Sequence, residues 1–338
     1  MAEGIVSLRK TQFGRESTAG TAVAATSVQR LMSNGAKDDS PVEFINEHIG
    51  YLAPINRTAQ PKKAASIAFD DSPMTFEQCM YPFDAGIKTV TATADGAGTG
   101  KIYTYTFPTT AVNTVKTYTI ESGDNIQARE MEYSFCESIA ISFNAGEVVN
   151  ISSNWIGRQW TNTTFTGALS APTVEDILTS KGKLYIDAVA GTIGTTQVSN
   201  TLLSGTLNIV TGWKAVWTAD GNLYFSFAKN TAPEITLDLT YEHNSSAETE
   251  YAAFVAGTPR LIELKFEGSA LTSAGTYTYK TVKIDLAGSY ETWDAFGDTD
   301  GNNTVSCTFA LATIQPPQSL RKSSLLIKSL HSLSRKVL

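Results

Sequence analysis

The sequence has few charged residues for its length. Asp, Glu, Lys and Arg make up 17% of the 338 residues, whereas about 25% is typical of soluble domains. Ser, Thr, Ala and Gly are correspondingly frequent. So little charge leaves a poorly solvated monomer surface, so we expect other subunits to cover part of it; the alternative is a threonine-rich β protein that stays alone.

Cysteine is scarce as well, and long apolar runs are missing. Cys79, Cys136 and Cys307 are odd in number and lack metal-ligand spacing, which argues against a disulfide framework or a zinc site. No apolar run reaches the roughly 18 residues of a membrane span, and the first residues do not resemble a signal peptide. We therefore expect a protein made and used from a reducing cytoplasm, with no membrane insertion.

Basic residues are outnumbered over most of the chain. Five of the 26 Lys and Arg residues lie in residues 316–338, which contain no acid, so 21 remain against 33 acids elsewhere. Nucleic-acid binding depends on Lys and Arg that neutralise phosphates. The acidic body therefore excludes a tight grip on DNA, although DNA could slide past it.

Two segments approach known ligand loops and fail. The Gly96–Lys101 segment follows Asp95 where a phosphate loop needs glycine, and Ile102 replaces the required Ser or Thr. Asp298–Asn303 has the composition of a calcium loop, but its glycine comes two positions early and Phe309 stands where a bidentate Glu is required. Both segments are predicted to be turns.

The histidines and carboxylates form no catalytic pattern. His48, His243 and His331 accompany neither a nucleophile motif nor a zinc helix. Acid pairs such as Asp70–Asp71 fall where turns are expected, although a glycosidase pair could still meet in the fold. We predict a protein that is not an enzyme and has no catalytic, cofactor-binding or metal-binding residues and no cofactor.

What the sequence does contain is a repeat. A shift of 171 positions lays residues 14–86 over residues 185–257, so that Ala19-Gly20-Thr21 falls on Ala190-Gly191-Thr192 and Ala85-Gly86 on Ala256-Gly257. The matches gather at turn glycines and at the ends of apolar runs, as expected of a duplicated β-rich unit.

Alternation of apolar and polar residues predicts a mainly β fold. It is clearest in Lys101–Phe107 and Tyr279–Leu286, and such alternation is typical of sheets packed on one face, as in sandwiches and barrels. Helical spacing interrupts it twice. One short helix is predicted at 76–85, capped by Ser72 or Thr75, and its repeat at 248–256.

A family resemblance rests on four parts of the chain. They are Gln12–Thr26, the Phe76-Glu77 helix, Met131–Phe143 with Ser153–Arg158, and Ile284–Glu291 with Asp300-Gly301. Together they resemble tail tube proteins of tailed bacteriophages over about residues 5–312. The resemblance implies β-sandwich tube domains whose sheets join those of neighbours into an inner barrel, in rings that stack through an arm and loops.

The resemblance also implies partners and a location. Chains with two tube domains can form trimers of pseudo-sixfold symmetry, which the repeat favours here over hexamers. Partners would be further copies, the tape measure protein, and tail terminator and tail tip proteins, while DNA passes through the lumen without specific binding. The place would be the virion tail, after assembly in the bacterial cytoplasm. A lumen that repels phosphate should carry more acids than bases.

Combined with the repeat, the resemblance predicts five regions. They are an extended N-terminal arm at 1–40, a tube-like β domain at 41–165 with a hairpin insertion near 96–124, a linker at 166–180, a second tube-like β domain at 181–315, and a basic extension at 316–338. For the extension we expect a loose attachment, with a basic amphipathic helix as the alternative.

The competing interpretation is a surface-binding module. A tandem β-sandwich that binds carbohydrate or acts as an adhesin would also have turns rich in Asn, Asp and Thr. A glycoside hydrolase is a more remote third interpretation.

Overall fold

The computed structural model describes residues 3–32, 35–52, 55–108, 114–311 and 326–331. The fold is mainly β, as predicted, and its strands pair in antiparallel fashion. Two α-helices lie in the described residues. None of the described helices is long and apolar enough to cross a membrane.

In the described residues, the first half of the chain contains helix α1 (Met80–Gly86) and twelve strands. The strands are β1 (Lys10–Arg15), β2 (Ser27–Gln29), β3 (Lys37–Asp38), β4 (Glu43–Asn46), β5 (Ile55–Ala59), β6 (Ala65–Pro73), β7 (Thr93–Ala94), β8 (Lys101–Tyr105), β9 (Tyr118–Gly123), β10 (Ala128–Asn144), β11 (Asn150–Gly157) and β12 (Trp160–Thr163).

The second half contains helix α2 (Ser245–Val255) and the remaining described strands. These are β13 (Gly182–Ala188), β14 (Gln197–Val198), β15 (Leu202–Val210), β16 (Trp213–Val216), β17 (Phe227–Asn230), β18 (Glu234–Glu242), β19 (Arg260–Ala270), β20 (Tyr279–Trp293), β21 (Gly297–Thr299), β22 (Asn302–Leu311) and β23 (Leu326–His331). Short 3₁₀ turns lie at Val6–Leu8 and Thr179–Lys181.

Period-two burial explains why these segments are strands. In β18, Ile235, Leu237, Leu239 and Tyr241 are buried while the residues between them are half-buried. Successive side chains of a strand point to opposite faces, so this pattern places one face on a core. β-branched and aromatic side chains favour the same conformation.

The strand pairings follow one order in both halves. The first strand set runs β2–β1–β9–β10–β11–β6–β3. The second strand set runs β14–β13–β19–β20–β22–β18–β15. Each set also has a hairpin between its third and fourth strands in chain order. Hairpin β4–β5 lies between β3 and β6, hairpin β16–β17 lies between β15 and β18, and the helix follows the fourth strand in each case.

Two long strands change partners along their length. In β10 the register with β9 shifts between Met131 and Ser134, and Tyr133 has a positive φ of 56°. β20 shifts its register with β22 between Tyr290 and Thr292. Such bulges bend a strand and raise its twist, which allows one strand to serve two groups of neighbours.

The larger of the two hydrophobic core clusters in the described residues runs through both halves. In the first half Phe13 packs against Trp155, with ring centroids 5.2 Å apart. In the second half Tyr290 packs against Phe309 at 5.3 Å. Aromatic pairs at such distances add to the stabilisation from burial.

Residues 1–40, predicted to be an extended arm, contribute β1 and β2 to the first strand set, and Phe13 is fully buried. The chain between these strands lies over β1. It is held by the buried carboxylate of Glu16, which accepts hydrogen bonds from the main-chain N–H groups of Gly20 and Tyr133, both at 2.8 Å. Because of these contacts, residues 10–29 belong to the body of the fold.

The predicted insertion near 96–124 is narrower than expected. The β7–β8 hairpin has no counterpart in the second strand set. β9, by contrast, corresponds to β19, because β9 pairs with β1 and β10 as β19 pairs with β13 and β20. The predicted linker at 166–180 is also bonded to the body, because the Ile177 N–H donates to the main-chain oxygen of Met74 at 2.9 Å.

In the described part of the C-terminal extension, both the loose attachment and the amphipathic helix were wrong. β23 is a strand, and it pairs with β20 on one side and with β8 on the other. It therefore joins the insertion of the first half to the second strand set. The rest of 316–338 lies outside the described residues.

Both helices lie where the sequence places them, with different ends. α1 begins at Met80, and neither Ser72 nor Thr75 caps it, since its N-cap residue Cys79 makes no side-chain cap bond. α2 begins earlier than predicted. Asn244 caps it, with the side-chain oxygen accepting from the N–H groups of Ser246 and Ala247.

Candidate assembly interface

The two strand sets are joined edge to edge inside the chain. β10 pairs with β15 over seven residue pairs, from Ser138 opposite Val210 to Asn144 opposite Ser204. β11 occupies the other edge of the same part of β10. One sheet therefore continues from the first set into the second.

One face of this continuous sheet is polar. Asp238 accepts hydrogen bonds from Asn208 Nδ2 at 3.1 Å and from Thr308 Oγ1 at 2.7 Å. Thr240 and Ser306 bond at 3.1 Å. We call this surface the polar face; it belongs to residues 138–144, 150–157, 202–210, 234–242 and 302–311, none of which is Lys or Arg.

A hairpin covers the joint from the side. β16–β17 of the second half packs on the first half, where Trp213 and Phe225 form a buried cluster with Phe135. Trp213 Nε1 donates to the main-chain oxygen of Gly86 at 3.0 Å, at the end of α1. Nearby, Thr211 Oγ1 donates to the main-chain oxygen of Cys136 at 2.8 Å. We call the β10–β15 pairing and this docked hairpin the internal joint.

Arg158 strengthens the internal joint. Its guanidinium lies 4.6 Å from the ring centre of Tyr133 and 4.7 Å from that of Tyr224, one from each half. A cation between aromatic faces is attracted by both rings. This role was not predicted from the sequence, because Tyr224 lies 66 positions away from Arg158 in the chain.

The last part of the second strand set has an open edge. Residues 292–299 bond to β22, with Thr292 opposite Thr308 and Asp298 opposite Asn303. In the part of the chain that the structure describes, no strand lies on their other side. Both Thr292 and Ser138 follow a bulge in their long strand, so this edge corresponds to the edge of β10 that β15 occupies.

The first strand set has the complementary open edge. β3 pairs with β6, with Lys37 opposite Ser66, and within the described residues no strand pairs with its far side. β15, its counterpart, is bonded on both sides. An unpaired strand edge is a template for pairing with another chain.

The segments weighed as ligand sites lie in turns or against other loops. The Gly301 N–H donates to Asp298 Oδ1 at 2.9 Å. The Gly96–Lys101 loop packs against residues 273–277, since buried Asp95 accepts from the Thr276 N–H at 2.9 Å. Among the glycines of this loop the approach is closest at Gly98, where a Cβ would lie 2.6 Å from the main-chain nitrogen of Gly275.

The three histidines are not brought together. His243 Nε2 lies 2.7 Å from Glu248 Oε1, near the start of α2. His48 lies in the loop of β4–β5 and His331 ends β23. Among the described residues there is no group of three or more His, Cys, Asp and Glu that could hold a metal ion.

Comparison with known proteins was made by sequence. No protein-family model matches the chain, and no curated protein matches it.

Proposed function

We propose that this protein is a structural subunit of a phage-type tail tube, with two tandem tube-like β-sandwich domains. The internal joint carries the proposal. In this joint the edge of β10 in the first set pairs with β15 of the second set. The two equivalent edges, residues 292–299 in the second set and β3 in the first set, are unpaired in the described residues. Pairing of these two edges between copies would repeat the internal joint from chain to chain.

The correspondence between the strand sets fixes a register for this pairing. Asn208 lies opposite Ala140 in the internal joint. Lys37 falls on Asn208 under the 171-residue shift. The strand pairing agrees, because Lys37 pairs with Ser66, which lies opposite Ile156 of β11, and Asn208 pairs with Thr236, which lies opposite Ala310 of β22. Asp294 corresponds to Ala140, since it lies two residues after the bulge. Lys37 of one copy would therefore lie opposite Asp294 of the next, where opposite charges attract.

Such a contact joins two different edges and is heterologous. Heterologous contacts form a ring when their rotation closes. A ring of six strand sets would take three chains, which is the pseudo-sixfold trimer; six chains in a hexamer are the alternative. Closing the ring would pair both open edges and remove the aggregation hazard of unpaired strands.

The polar face fits a conduit for DNA. The residue ranges that form it contain Glu234, Asp238 and Glu242 and no basic residue. A surface of hydroxyl, amide and acidic groups offers phosphates no counter-charge, so DNA would pass without being held. We propose that this face lines the lumen, and that tape measure, terminator and tip proteins are the further partners within the virion tail.

The test is the assembly state of the purified chain. Light scattering behind size-exclusion chromatography, over a wide range of protein concentration, should show ring-sized particles, and negative-stain images should show rings or filaments with a central channel. A chain that stays monomeric at every concentration would contradict the proposal. Small discrete oligomers that bind glycans would instead favour the adhesin interpretation.

A further inference from the structure

The β4–β5 hairpin of the first half carries an unusual number of exposed apolar side chains. Phe44 is 64% exposed and Leu52 is fully exposed. Val42, Ile49, Tyr51 and Ile55 are exposed as well. The hairpin pairs only with itself in the described residues. Exposed apolar patches of this kind mark interaction sites.

The same chain shows what happens to the corresponding hairpin. β16–β17 has the same place in the second strand set, and its Trp213 and Phe225 are buried against the first half. Val42 takes the position of Trp213 under the 171-residue shift. A hairpin in this position therefore packs on a neighbouring strand set wherever the chain provides one.

The receiving surface has a counterpart too. β16–β17 covers the end of α1, where Ala85 and Gly86 are buried and Gly86 accepts the bond from Trp213. At the end of α2, Val255 is 67% exposed and Ala256 and Gly257 are exposed. Among the described residues other than Gly257 and its two chain neighbours, no atom lies within 4 Å of the position that a Cβ would take on Gly257. The end of α2 is thus open where the end of α1 is covered.

We propose that the β4–β5 hairpin of one copy docks on the end of α2 of a second copy, beside Val255 and Ala256. This contact rests on the proposed ring assembly, because it is the second element of the internal joint repeated between chains. One charge pair of the hairpin is internal to it, with Arg57 Nε 2.8 Å from Glu47 Oε1. Docking therefore buries apolar side chains without leaving this pair broken.

Cross-linking between two single-cysteine variants tests the contact. Val42→Cys and Ala256→Cys are mixed, allowed to assemble and treated with a short bis-maleimide. We expect a covalent dimer from the mixture and none from either variant alone. Cys79, Cys136 and Cys307 are buried, and burial raises the pKa of the Cys307 thiol to about 12, so the unmodified chain should not react. Val42→Cys mixed with Ser170→Cys, another exposed position, is the matched control.

A second variant measures the contribution of the patch. Leu52→Ser changes a side chain that is fully exposed in the monomer. Circular dichroism should therefore show an unchanged fold. We expect it to raise the protein concentration required for assembly at least about tenfold, which corresponds to about 1.4 kcal/mol. An unchanged concentration would contradict the docking.

The outcomes separate the two proposals. Particles that assemble without a link between positions 42 and 256 overturn the docking and leave the ring intact. A dimer that forms equally with the Ser170→Cys control also overturns it, since the link would then be unspecific. If no particles form at any concentration, the ring proposal and the docking fall together.

Discussion

Trp213 and Gly86 connect the two halves of the chain through one hydrogen bond. The indole Nε1 of Trp213 lies 3.0 Å from the main-chain oxygen of Gly86. Trp213 itself is buried beside Phe135, with ring centroids 6.4 Å apart. A Cβ on Gly86 would lie 2.8 Å from Thr211 Cγ2. The close approach of the hairpin therefore depends on glycine at the end of α1.

Replacement of Trp213 should lower the free energy of unfolding more than replacement of Trp217 does. We expect Trp213→Ala to lower the free energy of unfolding by about 3–5 kcal/mol, as large-to-small changes in cores do. Trp213→Phe should cost about 1–3 kcal/mol, because the Gly86 oxygen loses its donor. Urea denaturation measures both. Trp217→Ala, in the same hairpin but partly exposed, is the control, and an equal loss there would contradict the role of Trp213.

Stability should depend on pH through Asp187. Burial acts to raise its pKa, but hydrogen bonds from Thr195 and Thr196 outweigh burial and lower the pKa below its usual value. Its carboxylate also accepts from the Gly194 N–H at 2.8 Å. A lowered carboxyl pKa adds stability that is present above the unfolded pKa and is lost as pH falls through the folded one.

The expected effect of Asp187→Asn is a loss of about 1–2 kcal/mol at neutral pH. The loss should shrink as the pH falls from about 4, the pKa of Asp in an unfolded chain, through the lower pKa of the folded carboxyl. Asp84→Asn is the control with the opposite trend, because burial raises the pKa of Asp84. Relative to the parent, that variant should gain stability as pH rises. Thermal unfolding over the acid range checks both signs.

The sequence predicted the mainly β class and the approximate positions of the two helices, because alternation, helical spacing and turn glycines are local signals. It missed β1, since four consecutive residues of that strand, Thr11 to Gly14, are buried. A strand that is covered on both faces does not alternate. The covering chain is held by buried acids such as Glu16, which only the fold brings to β1.

The internal joint was also beyond the sequence. The change of partners in β10 occurs at a bulge where Tyr133 takes a positive φ, and no composition marks that conformation. β23 was missed for a related reason. Leu326 and Leu330 have helical spacing, while the strand depends on β20 and β8 lying on its two sides.

Exchange of charge across the proposed chain-to-chain seam should break and then restore assembly. Lys37 lies 2.6 Å from Asp39 in its own chain and is exposed, and Asp294 is exposed at the open edge. We expect Lys37→Asp or Asp294→Lys alone to raise the concentration required for assembly, because like charges would face each other. The double variant should recover at least part of the loss. Light scattering measures all four proteins, and additive losses in the double variant would exclude this register.

Lysines on the polar face should turn a passive surface into one that holds DNA. Ser142→Lys with Thr236→Lys places charge at two positions of the polar face that do not pair with each other. Both positions face away from the core, so the fold and assembly should survive. Assembled particles of this variant should retain a short labelled duplex that the parent does not retain, and binding should weaken steeply with salt because phosphate contacts release counterions. Lysines at exposed Asn125 and Ser170 are the control for charge alone. Equal binding by both variants would mean that the polar face does not line the path of DNA, since concentric rings of lysine around a channel should bind far more strongly than the same charges scattered outside.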